Sequence, residues 1–270
     1  MYVLKALCSY LLSMKHLKRL TNLSLATAIT IVSSGSFNLH DTKAIASEQS
    51  SQTQNSSQSK KLDFSGDGRP GKRTGGGSRS LCHNTSQTLT ALVPNNNTGT
   101  TTRDRPSFWF YVPHTSERAT TGEFVLQDEG ENDLHRQTVT LPQTSGLVSY
   151  QLPAEAPPLA AKQSYRWYFK LYCHEDLATA NYVEGWITKV PLSQDLENRL
   201  QSQATPDYRE YSSNAIWFDS LDNLAQLRLQ QDSPQLKSDW HQLLSAEGVK
   251  LEELIQQPLL GSAIETVRDK

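Results

Sequence analysis

Apolar and polar positions divide the chain into stretches of different period. From about residue 88, short apolar runs are separated by turn-forming residues at 94–97, 113, 130, 142–146 and 153–158. Runs of this length with alternating character read as strands, predicted over 88–93, 107–112, 123–127, 137–141, 147–152, 164–173 and 182–190. Seven short strands without intervening helices point to an antiparallel β-sandwich, immunoglobulin-like or fibronectin-like in layout. Successive strand side chains face opposite ways, so Tyr165, Trp167, Phe169, Leu171 and Cys173 share one face, and Arg166, Tyr168, Lys170 and Tyr172 the other. The 107–112 run divides likewise into Phe108, Phe110 and Val112 against Trp109 and Tyr111. The first set in each run is the expected core.

After Pro191 the period becomes helical. Ser193 is placed to cap a short helix carrying Leu196 and Leu200, and a longer helix over 214–231 aligns Trp217, Leu221, Leu224 and Leu227. Ser233-Pro234 starts another helix with Leu236, Trp240, Leu243 and Leu244, which stops near Gly248. A last helix holds Leu251, Leu254 and Ile255 and ends before Pro258. The two central helices form a hairpin that cannot bury its own apolar face. It covers the sandwich, stacks on another copy or docks a partner. The outward set Trp109, Tyr111, Arg166, Tyr168, Lys170 and Tyr172 is then either a surface for a glycan or protein, or the seat of the helices, with Trp217 and Trp240 packed on it.

The front of the chain has no such pattern. Lys15, His16, Lys18 and Arg19 precede an apolar run over 23–32, and Ala44-Ile45-Ala46 is a small-x-small site before Ser47. This reads as a signal peptide over 1–46, with cleavage after Ala46 or nearer Gly35, and with Met14 as an alternative start. The run is too short and too rich in Ser and Thr to span a bilayer. The mature chain is expected to be periplasmic or secreted, without a transmembrane span. Residues 47–63 form a polar low-complexity segment expected to be a disordered region, and 64–87 a Gly/Arg-rich arm. The sandwich takes 88–191, the helical segment 192–260 and a tail 261–270.

Composition agrees with this division. Apolar content of 36% and a mean hydropathy of −0.56 are low for 270 residues, and the deficit lies near the front. Removing 1–46 takes five basic residues and one acidic residue from 26 and 28, leaving 21 against 27, a net charge of −6. That argues against a general nucleic-acid binder, which needs an excess of positive charge against phosphate. Residues 60–80 hold six basic and two acidic residues while 192–270 hold seven and thirteen, so the arm and the helical segment attract each other. Cys82 and Cys173 are the two mature cysteines, and in an exported chain such a pair is expected to form a disulfide. A loop of that length stabilises a fold by roughly 4–5 kcal/mol in the chain-entropy model.

Catalytic signatures are missing. Gly66-x-Gly68-x-x-Gly71 matches a dinucleotide pattern, but no strand precedes it and more glycines follow where a helix is needed. Gly66-x₄-Gly71-Lys72 resembles a phosphate loop, with Arg73 where Ser or Thr is required. There is no Gly-x-Ser-x-Gly elbow and no metalloprotease histidine spacing. The Cys82-His83 and Cys173-His174 pairs are a speculative metal site: a disulfide would gather His83 and His174 beside Glu175 and Asp176, a donor set suited to zinc or copper. Two surface histidines are the plainer alternative. The GDGRPGKRTGGGSR run is a solvated segment or a flexible basic arm for an acidic partner or polysaccharide.

That run, the cysteine soon after it, and the blocks LTALVP, RPSFWFYVP, EFVLQDE, YRWYFKLYC, VEGWITKV and AIWFDSLDNLAQLR resemble a cyanobacterial family, domain of unknown function 928. The resemblance spans residues 64–260. It implies a leader, a β-rich centre and a helical end, with no established activity, so no catalytic residue is carried over and no cofactor is expected. Together these readings predict a non-enzymatic binding or interaction module of the periplasm or cell envelope, with an unknown protein or glycan partner. A carbohydrate-acting enzyme with an unrecognised carboxylate pair, or a metal-binding protein, are the alternatives.

Overall fold

Alternation becomes two stacked sheets in the computed structural model, which describes residues 61–76, 87–113, 121–172, 180–202, 208–262 and 265–266. All of them belong to one unit, residues 57–270. The strands are β1 (Thr90–Ala91), β2 (Thr98–Thr101), β3 (Ser107–Val112), β4 (Thr121–Gln127), β5 (Asp133–Thr140), β6 (Gly146–Gln151), β7 (Ser164–Tyr172), β8 (Ala180–Lys189), β9 (Leu259–Gly261) and β10 (Glu265–Thr266). One sheet has the order β1-β3-β6-β9, the other β10-β5-β4-β7-β8-β2. The expected all-antiparallel arrangement is corrected: β2 runs parallel to β8, and β9 parallel to β6. Both are short edge strands that arrive by long connections instead of hairpins, and that is what permits the parallel sense.

The inter-sheet core follows the predicted faces. Phe110 of β3 stacks on Phe169 of β7 with centroids 4.1 Å apart, and Phe108 meets Phe124 of β4 at 4.7 Å. Tyr165, Trp167, Phe169 and Leu171 are buried, while Arg166, Tyr168, Lys170 and Tyr172 are half-buried on the opposite face. Each large apolar side chain so enclosed stabilises the fold by about 1.5–3 kcal/mol relative to exposure.

The helices are α1 (Gln194–Gln201), α2 (Tyr208–Ser213), α3 (Trp217–Gln230) and α4 (Pro234–Leu244), followed by a 3₁₀ turn over Glu252–Leu254. The Ser193 and Ser233 hydroxyls accept from the Leu196 and Leu236 amides, satisfying N–H groups the helix leaves open. A helix expected around Leu251, Leu254 and Ile255 is only the 3₁₀ turn, since Pro258 and the start of β9 leave it no length. Helix α3 packs against β2, β3 and β9, strands of both sheets. At its start the Trp217 Nε1–H donates to the Leu92 carbonyl at 2.9 Å, and the Phe218 ring lies 5.4 Å from Phe108. Trp217 and Trp240 are enclosed.

The glycine-rich arm also has a place. Residues 61–76 run as a strap from the helices to β8 and β1. Phe64 is buried edge-on to Trp217 at 5.0 Å, and its amide donates to the Glu247 carbonyl. Gly248, with φ +77°, passes so close that a Cβ would lie 2.5 Å from the Ser65 nitrogen. Further on, Lys72 and Glu184 exchange backbone hydrogen bonds, and Trp186 donates to the Pro70 carbonyl at 2.9 Å. Arg73 donates to the carbonyls of Val249 and Lys250 at 2.5 and 2.9 Å. The arm stays largely exposed, as a solvated segment would, and only the expectation of a flexible one is corrected for 64–76. Its backbone hydrogen bonds go to the body, and Gly71 is small because a Cβ there would sit 2.8 Å from the Asn97 Cβ. The attraction expected between arm and helical segment takes the form of Arg73 and of a Lys61–Glu247 pair at 3.1 Å.

Candidate functional site

The six residues predicted to share an outward face lie on two sheets. Trp109 and Tyr111 are in β3, on the outer side of the four-stranded sheet. They are 1% and 2% exposed, and the expectation of an open surface there is corrected. Trp109 Nε1–H donates to Asp222 Oδ1 of α3 at 3.1 Å, and the Tyr111 hydroxyl to Gln87 Oε1 at 2.6 Å. The sequence contained a signal: residues 107–112 are aromatic or aliphatic at five consecutive positions after Ser107, the mark of a strand covered on both faces.

Arg166, Tyr168, Lys170 and Tyr172 do come together, on the outer face of the six-stranded sheet. Their charges are answered within the face. Glu123 of β4 accepts from Arg136 at 2.5 Å, Lys170 at 2.8 Å and the Tyr172 hydroxyl at 3.2 Å. Burial works to raise the Glu123 pKa, but the bonds from Lys170 and Arg136 outweigh it and hold the carboxyl below its ordinary value. Arg166 donates to Glu184 at 2.7 Å and lies over the Tyr168 ring at 4.9 Å. The strap adds Arg69 over Trp186 at 4.5 Å and Lys72 over Tyr182 at 4.3 Å. This face is a lattice of ion pairs and cation–π contacts.

A carboxylate pair that sequence reasoning missed lies inside the AIWFDSLDNLAQLR block. Asp219 and Asp222 of α3 are both buried. Asp219 accepts from the Thr101 and Thr102 hydroxyls, each at 2.6 Å, and from the Thr102 amide at 3.2 Å. Asp222 accepts from Arg103 at 2.5 Å as well as from Trp109. Burial raises the Asp219 pKa against the opposing effect of Thr101, Thr102 and Arg103. Neither carboxylate borders the two cavities described below. The pair is a clamp that joins α3 to the segment between β2 and β3, and its chemistry is that of a satisfied buried network.

A cleft of about 650 Å³ opens between three segments: the strap (Lys61, Asp63–Gly66), the turn and strand at Asn96 and Thr98–Thr100, and the end of α2 with its link to α3 (Ser212–Ala215). Phe64 and Trp217 lie beneath it. Two of the loops that shape it hold non-glycine residues in the left-handed region, Asn97 at φ 61° and Ala215 at φ 56°, and such strain persists only where surrounding structure enforces it. At Ala215 the turn that ends α2 is closed by backbone bonds from Ala215 to Ser212 and from Ile216 to Tyr211, and the Thr100 hydroxyl donates to the Ala215 carbonyl at 3.0 Å. A smaller cavity of about 370 Å³ shares Ser212 and Ser213, and is lined by Tyr208 and Asp239, which are hydrogen-bonded to each other. Sequence reasoning missed the cleft, because its walls come from positions about thirty and over a hundred residues apart.

Cys82, Cys173, His83, His174, Glu175 and Asp176 lie outside the described residues, so the predicted disulfide and metal site do too. Among the described residues there is no group of three potential metal ligands, and no helix is long and apolar enough to cross a membrane.

Comparison with known proteins yields one family. The model described as Domain of Unknown Function (DUF928) matches residues 74–259, and the chain belongs to that family. The match takes in two walls of the cleft and the buried clamp, and begins after the strap residues 61–66. No curated protein matches the chain.

Proposed function

Proceeding from membership of a family without a described activity, we propose that this protein is an exported, non-enzymatic binding module of the cell envelope. It holds a small polar ligand, part of a glycan, in the cleft between strap, β2 and the α2–α3 link. The observation that carries this reading is the cleft itself: its volume falls in the range typical of small-molecule sites, and three separate segments supply polar groups to it. Among the described residues one carboxylate lines it, Asp63, which favours binding over glycoside hydrolysis, a reaction that ordinarily uses two. The outer face of the six-stranded sheet is the weaker candidate, because its charged groups already serve one another.

The layout we infer is immunoglobulin-like. With β1, β3, β4, β5, β6, β7 and β8 lettered A to G, the sheets read A-B-E and D-C-F-G, so the fourth strand sits with C and not with the A-B-E sheet. Cyanobacterial origin and the Cys82–Cys173 disulfide belong to the same proposal.

The test has two arms. Intact mass of the protein from its native host is expected to match a start at Ser47, with two thiols alkylated only after reduction. A full-length mass with free thiols would remove the envelope from the proposal. On a glycan array the mature chain is expected to bind, and Asn214→Trp, which fills the cleft from an exposed position, to abolish binding. Equal binding by that variant would remove the cleft.

A further inference from the structure

The cleft's side chains have a donor and acceptor balance that specifies a class of ligand. Both hydrogens of the Asn96 amide are spent inside the protein, on the Phe64 and Gly66 carbonyls at 3.3 and 2.9 Å. Both hydrogens of the Asn214 amide go to the Glu210 carbonyl and the Ser213 hydroxyl at 2.7 and 3.3 Å. The hydroxyls behave alike. Ser65 donates to Asp63 Oδ1 at 2.5 Å, Thr100 to the Ala215 carbonyl, and Ser212 and Ser213 to the Arg209 and Glu210 carbonyls. Thr98 has the Asp67 carbonyl and Asn96 Oδ1 within reach.

What these groups keep is acceptor capacity. The hydroxyl oxygens of Ser65, Thr98, Thr100 and Ser212 retain lone pairs. Among the described residues, Asn214 Oδ1 and Asp63 Oδ2 accept no hydrogen bond. Among the described lining residues Lys61 is the one cation, and it lies at the exposed rim and pairs with Glu247. A phosphate, sulfate or carboxylate would therefore meet lone pairs and a carboxylate, and would leave its own oxygens unpaired, a costly arrangement once water is displaced. Asp63 is exposed and Lys61 is paired with Glu247, so the one net negative charge at the rim is screened by water and gives an ammonium ligand little to bind.

We infer that the cleft selects an uncharged saccharide, whose hydroxyls donate to this acceptor-lined wall. The inference rests on the binding reading above and specifies its ligand.

Titration of the mature chain (residues 47–270) with maltotriose, cellotriose, trigalacturonate and spermidine, followed by isothermal calorimetry, tests it. At least one neutral trisaccharide is expected to bind, with trigalacturonate and spermidine at least about ten-fold weaker. Asp63→Asn, which exchanges an acceptor oxygen for a donating amide, is expected to weaken neutral binding about ten-fold, the loss of one good hydrogen bond. Thr98→Val, nearly isosteric, is expected to weaken it less. Tighter binding of trigalacturonate or spermidine, sensitive to Asp63→Asn and Asn214→Trp, would overturn the choice of ligand and leave the binding module standing. Binding of no probe, or binding that none of the cleft variants alters, would overturn both.

Discussion

The two outer faces of the sandwich carry similar aromatic residues and reach opposite ends. On the four-stranded sheet Trp109 and Tyr111 are enclosed under α3 and its neighbours, with Trp109 hydrogen-bonded to a buried aspartate. On the six-stranded sheet Tyr168 and Tyr172 remain half-exposed among Arg166, Lys170, Glu123 and Glu184. Aromatic content does not separate the faces. What separates them is what stands beside the rings. In β3 the residues flanking Trp109 and Tyr111 are Phe108, Phe110 and Val112, so the whole strand is apolar, and exposing either side would leave a large patch in water. In β7 the outward positions alternate Tyr with Arg and Lys, whose charged ends stay hydrated while their stems lie along the sheet.

That contrast is open to test, beginning with its largest consequence. Trp109→Ala empties a fully enclosed site and orphans one oxygen of Asp222. It is expected to cost about 3–5 kcal/mol, read as a fall in the urea midpoint. Loss comparable to a surface substitution would mean that α3 does not cover this face. Asp222→Ala leaves the Trp109 N–H without its acceptor and Arg103 with only Asp219, 3.7 Å away, and is expected to cost about 2–3 kcal/mol in the same measurement.

A third test uses pH, where the two regions differ in sign. Asp219, in the clamp, has its folded pKa raised above the ordinary 3.8 because burial outweighs its hydrogen bonds. The folded state then holds a proton that the unfolded state releases, so this residue's contribution falls as pH rises from the unfolded value toward the folded one. Glu123, on the open face, has its folded pKa below the ordinary 4.5, since the bonds from Lys170 and Arg136 outweigh burial. Its contribution is fully present above that unfolded value and is lost as pH falls through the folded one. Urea midpoints measured from about pH 3 to 7 are expected to show Asp219→Asn removing a decline with rising pH, and Glu123→Gln removing a loss toward acid. The same sign for both variants would break the distinction.

The smallest expected effect is Tyr168→Ala, within about 1 kcal/mol, since its ring is half in water and its Arg166 contact is at the surface. A cost approaching that of Trp109→Ala would show that this face too is covered in the native protein.

Much of the body was legible in the sequence. Residues 164–172 alternate apolar and hydrated side chains without a break, and β7 follows them with each side chain on its predicted face. Ser193 and Ser233-Pro234 announce their helices because capping is local chemistry between a side chain and an amide three residues on. Residues 98–101, Thr-Gly-Thr-Thr, show no apolar alternation and were not read as a strand. They become β2 because β8 offers a free edge to pair with. β9 and β10 form in the same way, on the free edges of β6 and β5. The clamp was hidden because Asp219 and Asp222 look like the polar side of an amphipathic helix until Thr101, Thr102, Arg103 and Trp109 are brought to them.

By itself, then, the sequence determined what depends on neighbours along the chain: the strand faces, the capped helices, the punctuation between them and membership of the family. Tertiary structure alone decided which aromatic face is covered, that the glycine-rich strap is docked, and that hydroxyls from three distant segments share one cleft. The reason is physical. Period and capping are set within a few residues, whereas burial and hydrogen-bond satisfaction depend on groups that only folding brings within 3 Å or so of one another.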